Sequence, residues 1–188
     1  APDFALIWDN AYGVHEFAGD YVPFPDILSL CEQYGNADMV FEFASTSKIT
    51  FPGAGVSCFC CSEDNMAYMK KLWNAQIISY DKLNQLRHVK FFGNAAGVLA
   101  HMKRHAAVLA PKFEIVLDTL ESEIAPLGIA SWHRPTGGYF VSLNTMEGCA
   151  KRVHALCKEA GVVMTGAGAT FPYKKDPKDS NLRITEPK

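Results

Sequence analysis

The chain has 188 residues, of which 48% are hydrophobic and 20% are charged, and its formal net charge is −2. This length and composition are typical of a globular protein with one sizeable domain or two small ones. The sequence has no apolar run of the ~18 residues that a membrane-spanning helix needs, no basic start of a signal peptide, and no basic patch interleaved with aromatic residues. We therefore expect a cytoplasmic protein without membrane or nucleic-acid partners, whose six cysteines are reduced thiols.

The first part of the chain predicts alternating strands and helices. Continuous apolar runs at residues 4–8 and 39–44 indicate buried strands, and residues 26–35 between them predict a helix with an Asp cap and a Gly stop. A strand–helix–strand order implies a parallel sheet whose carboxyl ends carry the site. A third strand is expected at residues 55–61 and a helix from Ser62 toward Ile78, whereas the structure of residues 80–92 stays open.

The second part of the chain predicts a mixture of helices and hairpin strands. A long amphipathic helix is expected from Asn94 to about Ile124, and Pro111 should kink or divide it. Strands at residues 129–133 and 139–143 should pair around the turn between them. A helix over residues 147–160, ended by Gly161, and a short strand at residues 162–164 complete the prediction.

Three side chains at the ends of predicted strands form a candidate site. Residues 1–69 hold ten acidic residues but one base, Lys48, which follows the second strand. Asp9 follows the first strand, and Tyr12 lies three residues further on. An amine, a carboxylate and a phenol at strand ends are the set that pyridoxal phosphate chemistry requires. The structural alternatives are a surface lysine, a helix-capping or Asx-turn aspartate and a half-buried core tyrosine.

Four motifs follow one another along almost the whole chain. They are Asp9-Asn-Ala-Tyr12, the segment from Ser45 to Gly53 that contains Lys48, residues 136–143, and Asn181-Leu-Arg183-Ile. In this order they resemble the fold-type I, class I/II aminotransferases, in the branch of the aspartate aminotransferases and the MocR-like aminotransferase domain. The resemblance implies that the chain corresponds to the C-terminal half of such a protein.

The resemblance also implies an α/β fold in two domains. Residues 1–93 would be the C-terminal part of the large domain, with a mostly parallel sheet that binds pyridoxal 5'-phosphate. Residues 94–188 would be an α+β small domain that is truncated at its end. The other half of such a protein would complete the cofactor pocket, so we expect the 188-residue chain to be inactive alone and prone to self-association.

By the same resemblance, the candidate residues acquire roles in binding the cofactor. Lys48 would bind it covalently through the ε-amine and, once released by a substrate amine, would transfer a proton. We expect Lys48 to lie in a desolvated environment, because exclusion of water favours the neutral form of its amine. Asp9 would keep the pyridine nitrogen protonated, and Tyr12 would donate a hydrogen bond to the phenolic oxygen.

Two further groups of residues would bind anions. Ser45 and Ser47 would anchor the cofactor phosphate with their hydroxyls. Many class I relatives have an arginine that binds the phosphate at the position of Gly55. In this chain, another group must neutralise the negative charge of the phosphate. Arg183 would bind the substrate α-carboxylate as a bidentate pair, with a plain edge-strand arginine as the alternative.

The sequence therefore predicts an aminotransferase that acts on an amino acid, with aspartate or glutamate expected, and a 2-oxo acid, as a homodimer in its full length. The alternative is a MocR-like transcriptional regulator whose domain binds pyridoxal 5'-phosphate without turnover. Decarboxylation and β-elimination on the same scaffold also stay open. No metal is expected, because the cysteines at residues 58–61 lack a second pair, and Met102 replaces the glutamate that a zincin would have between His101 and His105.

Overall fold

The computed structural model describes residues 3–19 and 21–185. Their contacts form two compact units. The first contains residues 3–14 and 21–102, and the second contains residues 15–19 and 103–185. The domain boundary between residues 93 and 94 stays a prediction, and the observed division falls nine residues later in the chain.

The first unit is built on a three-stranded sheet. Strand β1 (Leu6–Asp9) pairs in parallel with β2 (Val40–Ser45), as the strand–helix–strand order predicts. Strand β3 (Ser57–Cys60) pairs antiparallel with β2. The connection from β2 to β3 carries no crossover helix, so β3 returns in the opposite direction.

Three helices of the first unit begin at a side-chain cap. They are α1 (Ile27–Gln33), α2 (Glu63–Gln76) and α3 (Lys82–Phe92). The side-chain oxygens of Asp26, Ser62 and Asp81 each accept the backbone N–H three residues further on, which satisfies a donor that the helix leaves open. The predicted helices α1 and α2 are thus confirmed, and the segment of unassigned structure proves to be α3.

The long predicted helix is α4 (Ala95–Thr119), which continues as a π-helical turn at Leu120–Ile124 and a 3-10 turn at Ala125–Leu127. Pro111 lies inside α4 without dividing it. Of the two predicted effects, a kink or a division, the division is therefore wrong. Leu109 and Phe113, on either side of Pro111, are buried. Their packing offsets the hydrogen bond that the proline removes.

The second unit contains an antiparallel sheet in the order β4 (Ala130–Trp132), β5 (Phe140–Thr145) and β6 (Asn181–Thr185). The predicted hairpin is confirmed, since Trp132 pairs with Leu143. Helix α5 (Ala150–Glu159) begins three residues later than predicted, because Gly148 has a φ of +78° that ends the preceding turn. The strand predicted at residues 162–164 is absent, and Val163 is 88% exposed without a strand partner.

The core of the second unit lies between α4 and the sheet. Its buried members include Phe113, Leu117, Val141 and Leu182. Phe17 stacks on Phe113 with ring centroids 4.3 Å apart. This contact explains why residues 15–19 belong to the second unit although they lie early in the chain.

None of the helices within the described ranges combines the length and the apolar character that crossing a bilayer requires. Among the same residues, no group of three His, Cys, Asp or Glu side chains is arranged to hold a metal ion. The six cysteines are free thiols, and burial raises the pKa of Cys60 and Cys61. Both thiols are therefore held in their protonated form.

A carboxylate organises the turn that leads into β6. Asp176 accepts backbone N–H groups from Asn181 at 2.8 Å, Ser180 at 2.7 Å and Lys178 at 2.9 Å. These hydrogen bonds, that from Asn181 first, hold the pKa of Asp176 below its ordinary value of 3.8. The ionised carboxylate thus stabilises the start of the strand that carries Arg183.

We predict that Asp176→Ala lowers the thermal unfolding midpoint at neutral pH. Because the pKa is lower in the folded state, this stabilisation is present above about pH 3.8 and is lost as the pH falls through the folded value. The difference in midpoint between the wild type and the variant should therefore shrink below that pH in a calorimetric series. Asp118→Ala, which removes an exposed carboxylate, serves as the control. The prediction would be contradicted if Asp176→Ala lowered the unfolding midpoint by the same amount at every pH.

Candidate functional site

The register of β1 and β2 brings two predicted site residues to one cavity. Asp9 pairs with Phe43, so that Ser45 lies two residues further along the neighbouring strand. Asp9, Phe43 and Ser45 all line a cavity of about 780 Å³ in the first unit. Asp9 is the last residue of β1, and its side chain is exposed at the cavity wall. The burial predicted for this strand is not found among the described residues, where Ile7 is 71% exposed.

The rest of this cavity is largely apolar. Strand β3 contributes Phe59, and helix α2 contributes Met66 and Trp73. The rings of Phe59 and Trp73 meet edge to face with centroids 5.1 Å apart. An apolar wall beside a carboxylate and a hydroxyl suits a flat ring that carries polar substituents at its edge.

Two of the predicted site residues, Lys48 and Tyr12, lie together. The Nζ atom of Lys48 is 5.0 Å from the centre of the Tyr12 ring, a cation–π contact worth about 0.5–1 kcal/mol at an exposed site. Lys48 is exposed, so the desolvation that the sequence predicts is not provided by the described residues. The two side chains reach each other because β1 and β2 end side by side.

Residues 46–50, which we call the lysine turn, follow β2 directly. Ser45 and Ser47 place their hydroxyls 3.2 Å apart, and the N–H of Ser47 lies 3.4 Å from the Ser45 hydroxyl. The N–H groups of Ile49 and Thr50 donate to the carbonyl of Thr46 at 2.9 and 2.8 Å. Paired hydroxyls at such a tight turn can bind an anion.

Gly55 packs closely against the lysine turn. A Cβ atom at this position would lie 3.1 Å from both the Ser47 nitrogen and the Thr46 hydroxyl. The Thr46 hydroxyl accepts the N–H of Val56 at 2.9 Å, so its position is already set. The glycine that stands where the family resemblance implies an arginine thus accompanies a close approach of two backbone segments.

We predict that Gly55→Ala lowers the free energy of unfolding by about 1–3 kcal/mol, because the backbone of the lysine turn must shift to admit the methyl group. Urea unfolding of the purified chain measures this change. Gly166→Ala is the matched control, since nothing lies within 4 Å of a Cβ built there. Equal small effects of the two variants would contradict the packing role of Gly55.

Arg183 lies on β6 in the second unit. Its Nε and Nη2 atoms lie 3.4 and 3.2 Å from the Thr165 hydroxyl, and its Cζ atom is 4.2 Å from the centre of the Phe140 ring. These contacts orient a half-buried guanidinium and engage its Nε–Nη2 edge, so bidentate binding of a carboxylate would use the Nη1–Nη2 edge. β6 pairs with β5 alone among the described strands, so Arg183 also stands on an edge strand.

The structure thus groups five of the six predicted site residues at the ends of β1 and β2, and these are Asp9, Tyr12, Ser45, Ser47 and Lys48. Their roles toward a cofactor stay predictions. Sequence reasoning missed Thr165, which no motif marks, and His88 of α3, whose ring nitrogen lies 3.0 Å from the Thr46 hydroxyl. Both contacts are long-range, so only tertiary structure reveals them.

A strand pair that ends in a carboxylate and a lysine turn, followed by an α+β unit, agrees with the resemblance to the fold-type I aminotransferases. The family model described as aspartate amino-transferase matches residues 1–188. The chain belongs to this family, as the four motifs predict.

Individual relatives agree with the family. The chain is 51% identical over 184 residues to a Mycolicibacterium smegmatis protein provisionally named an aminotransferase, and 47% identical over 184 residues to an aspartate aminotransferase of Corynebacterium glutamicum. Both alignments cover 98% of this chain and 43% of the relative. The chain therefore spans less than half the length of the curated relatives that it matches.

Solved structures extend the comparison to the fold. The crystal structure of an aspartate transaminase from Corynebacterium glutamicum matches with a TM-score of 0.96 and 47% identity, covering 99% of this chain and 44% of that one. The α-aminoadipate aminotransferase LysN of Thermus thermophilus, solved with N-(5'-phosphopyridoxyl)-L-leucine, matches with a TM-score of 0.75 and 21% identity, covering 96% and 44%. The second likeness concerns the fold alone.

Proposed function

We propose that the protein containing this chain is a cytoplasmic, pyridoxal-phosphate-dependent aminotransferase. It transfers an amino group between an amino acid, aspartate or glutamate by preference, and a 2-oxo acid. The observation that carries the proposal is the contact of Lys48 with Tyr12 at the end of the strand pair that also presents Asp9. The name of the aspartate aminotransferase of Corynebacterium glutamicum supports the substrate class.

The described residues fit the cofactor by the chemistry of their donor groups. An amine, a phenol and a carboxylate lie at neighbouring strand ends, and Asp9 borders a cavity with an apolar wall. The hydroxyls of Ser45 and Ser47 lie together where an anion can accept both. When bound, pyridoxal 5'-phosphate supplies a ring that takes up the electrons released at the substrate α-carbon.

Each residue then has a specific task. Lys48 provides the amine that binds the cofactor, and later accepts and returns a proton at its Nζ atom. Asp9 would stabilise a positive charge on the ring nitrogen, and the phenol of Tyr12 would donate a hydrogen bond to the ring oxygen. Ser45 and Ser47 donate hydrogen bonds to the phosphate.

Arg183 binds the substrate carboxylate in this proposal. The contacts with Thr165 and Phe140 limit the guanidinium to few orientations, so less conformational entropy is lost when the carboxylate binds. A lysine at this position would offer a point charge without the planar fork.

We also propose a homodimer, which the exposure of apolar side chains on α3 supports. Leu83, Val89 and Phe91 are more than half exposed on this one helix. Exposed apolar groups gathered on one element are typical of a protein interface, and a second copy of the chain would cover them. The inactivity and self-association of the isolated 188-residue chain stay predictions.

We predict that Lys48→Ala abolishes the visible absorbance of protein-bound cofactor and lowers transaminase turnover by about a hundredfold to ten thousandfold, the contribution expected of a proton-transferring group. Absorbance spectra and coupled assays of the protein containing this chain measure both effects. Lys70→Ala, which removes an exposed lysine from α2, is the control and should change neither. Retention of absorbance and turnover by Lys48→Ala would refute the assignment.

The same measurements distinguish an enzyme from the alternative, a MocR-like regulator. A regulator domain would show the absorbance of bound cofactor in the wild type and lose it in Lys48→Ala, without turnover in either protein. Turnover by the wild type would exclude this alternative.

A further inference from the structure

Helix α3 turns a stripe of two polar residues and one phenylalanine toward the rest of its unit. Asn84, His88 and Phe92, spaced four residues apart, are its half-buried residues, whereas the apolar Leu83 and Val89 are 70% and 63% exposed. A helix at a protein surface normally buries its apolar stripe. Burial of polar groups is favourable only where they find hydrogen-bond partners, so this stripe indicates a specific contact.

That contact is with the lysine turn. The Nε2 atom of His88 lies 3.0 Å from the hydroxyl of Thr46 and 3.1 Å from that of Thr50. Its Nδ1 atom lies 2.8 Å from the backbone carbonyl of Asn84. A carbonyl oxygen can only accept, so Nδ1 carries the proton in the neutral ring, and the one lone pair of Nε2 accepts from a threonine hydroxyl. The Thr46 hydroxyl can be this donor, because the Thr50 hydroxyl also lies 3.1 Å from the carbonyl of Thr46, to which it can donate.

The side chain of Asn84 extends the same contact. Its amide nitrogen donates to the carbonyl of Gly55 at 3.0 Å. Gly55 is the residue that packs against Thr46 and Ser47. Helix α3 therefore holds both the lysine turn and the segment that covers it.

A second histidine binds the turn just after the lysine. The Nε2 atom of His101, on α4, lies 3.0 Å from the backbone carbonyl of Ile49, and by the same reasoning this nitrogen donates the hydrogen bond. The rings of Phe91 and Phe92 lie edge-on to His101, with centroids 5.3 and 5.4 Å away. Ile49 itself is buried.

We propose that His88 and His101 are positioning residues that fix the backbone on either side of Lys48. The inference rests on the proposed function for its catalytic consequence. Lys48 is exposed and has a long, flexible side chain, whose rotamers alone do not fix the position of its amine. Precision in that position has to come from the backbone of the turn, and misplacement of a reacting group is costly to the rate.

The first test is hydrogen exchange of the lysine turn in the cofactor-free protein that contains this chain. In His88→Phe, the amides of Ile49 and Thr50 should exchange about tenfold faster, since losing hydrogen bonds worth about 1.4 kcal/mol permits tenfold more local opening. His101→Phe should act in the same direction. His88→Gln keeps an amide that can accept from the threonines and should restore most of the protection.

Two comparisons make the exchange result specific. Amides of β1 and β2 should keep their wild-type rates in His88→Phe, and His133→Phe, at an exposed position, should leave the turn unchanged. Unchanged exchange in the turn, or an equal increase throughout the first unit, would overturn the proposal. Should His88→Phe fail to fold, His88→Leu against His88→Gln asks the same question, because only the glutamine keeps a group that can accept from a threonine hydroxyl of the turn.

The second test separates this inference from the proposed function. If the wild type is a transaminase, His88→Phe should lower kcat by about tenfold and leave KM within about twofold, because a displaced lysine slows proton transfer without changing substrate binding. An unchanged kcat, or a change in KM alone, would overturn the positioning role. A wild type without turnover would refute the proposed function, while the exchange rates of the lysine turn would still decide whether the two histidines hold it.

Discussion

The parallel pairing of β1 with β2 is the constraint on which the rest of the site depends. Because Asp9 pairs with Phe43, the first strand ends where the second still has two residues before the lysine turn. This offset puts Asp9 and Ser45 on one cavity and allows Lys48 to reach the ring of Tyr12. A register shift of one residue would turn Asp9 to the other face of the sheet and separate the carboxylate from that cavity. The chemistry we propose therefore depends first on the register of β1 and β2, which places the side chains that carry it.

Much of the fold could be predicted because the usual signals agree. The continuous apolar runs at residues 4–8 and 39–44 mark β1 and β2, and the caps at Asp26 and Ser62 mark the starts of two helices. The failures have physical reasons. The triplet at residues 162–164 is apolar but pairs with no strand among the described residues. Helix α3 could not be predicted from an apolar pattern because its half-buried stripe contains Asn84 and His88 in place of apolar residues. Helix α4 continues through Pro111 because packing on both sides of the proline outweighs the one hydrogen bond that it removes.

The candidate site shows the same division between local and long-range information. Lys48, Tyr12 and the two serines could be found because they lie within short motifs beside strands. Thr165 contacts Arg183 from 18 residues away, and His88 contacts Thr46 from 42 residues away. Neither spacing follows from a repeat or a turn, so these contacts could not be predicted. Gly55 lies between the two cases: its departure from the family pattern is visible in the sequence, but the close approach that it permits is visible only in the structure.

The measurement that tests the central claim most directly is chemical trapping of the cofactor. The protein that contains this chain is incubated with pyridoxal 5'-phosphate, the adduct is reduced with borohydride, and the modified peptide is sequenced by mass spectrometry. The account predicts that the label lies on Lys48, because this amine follows β2 beside Tyr12 and the neighbouring strand β1 ends at Asp9. Stoichiometric labelling of a different lysine, or no labelling at all, would contradict it.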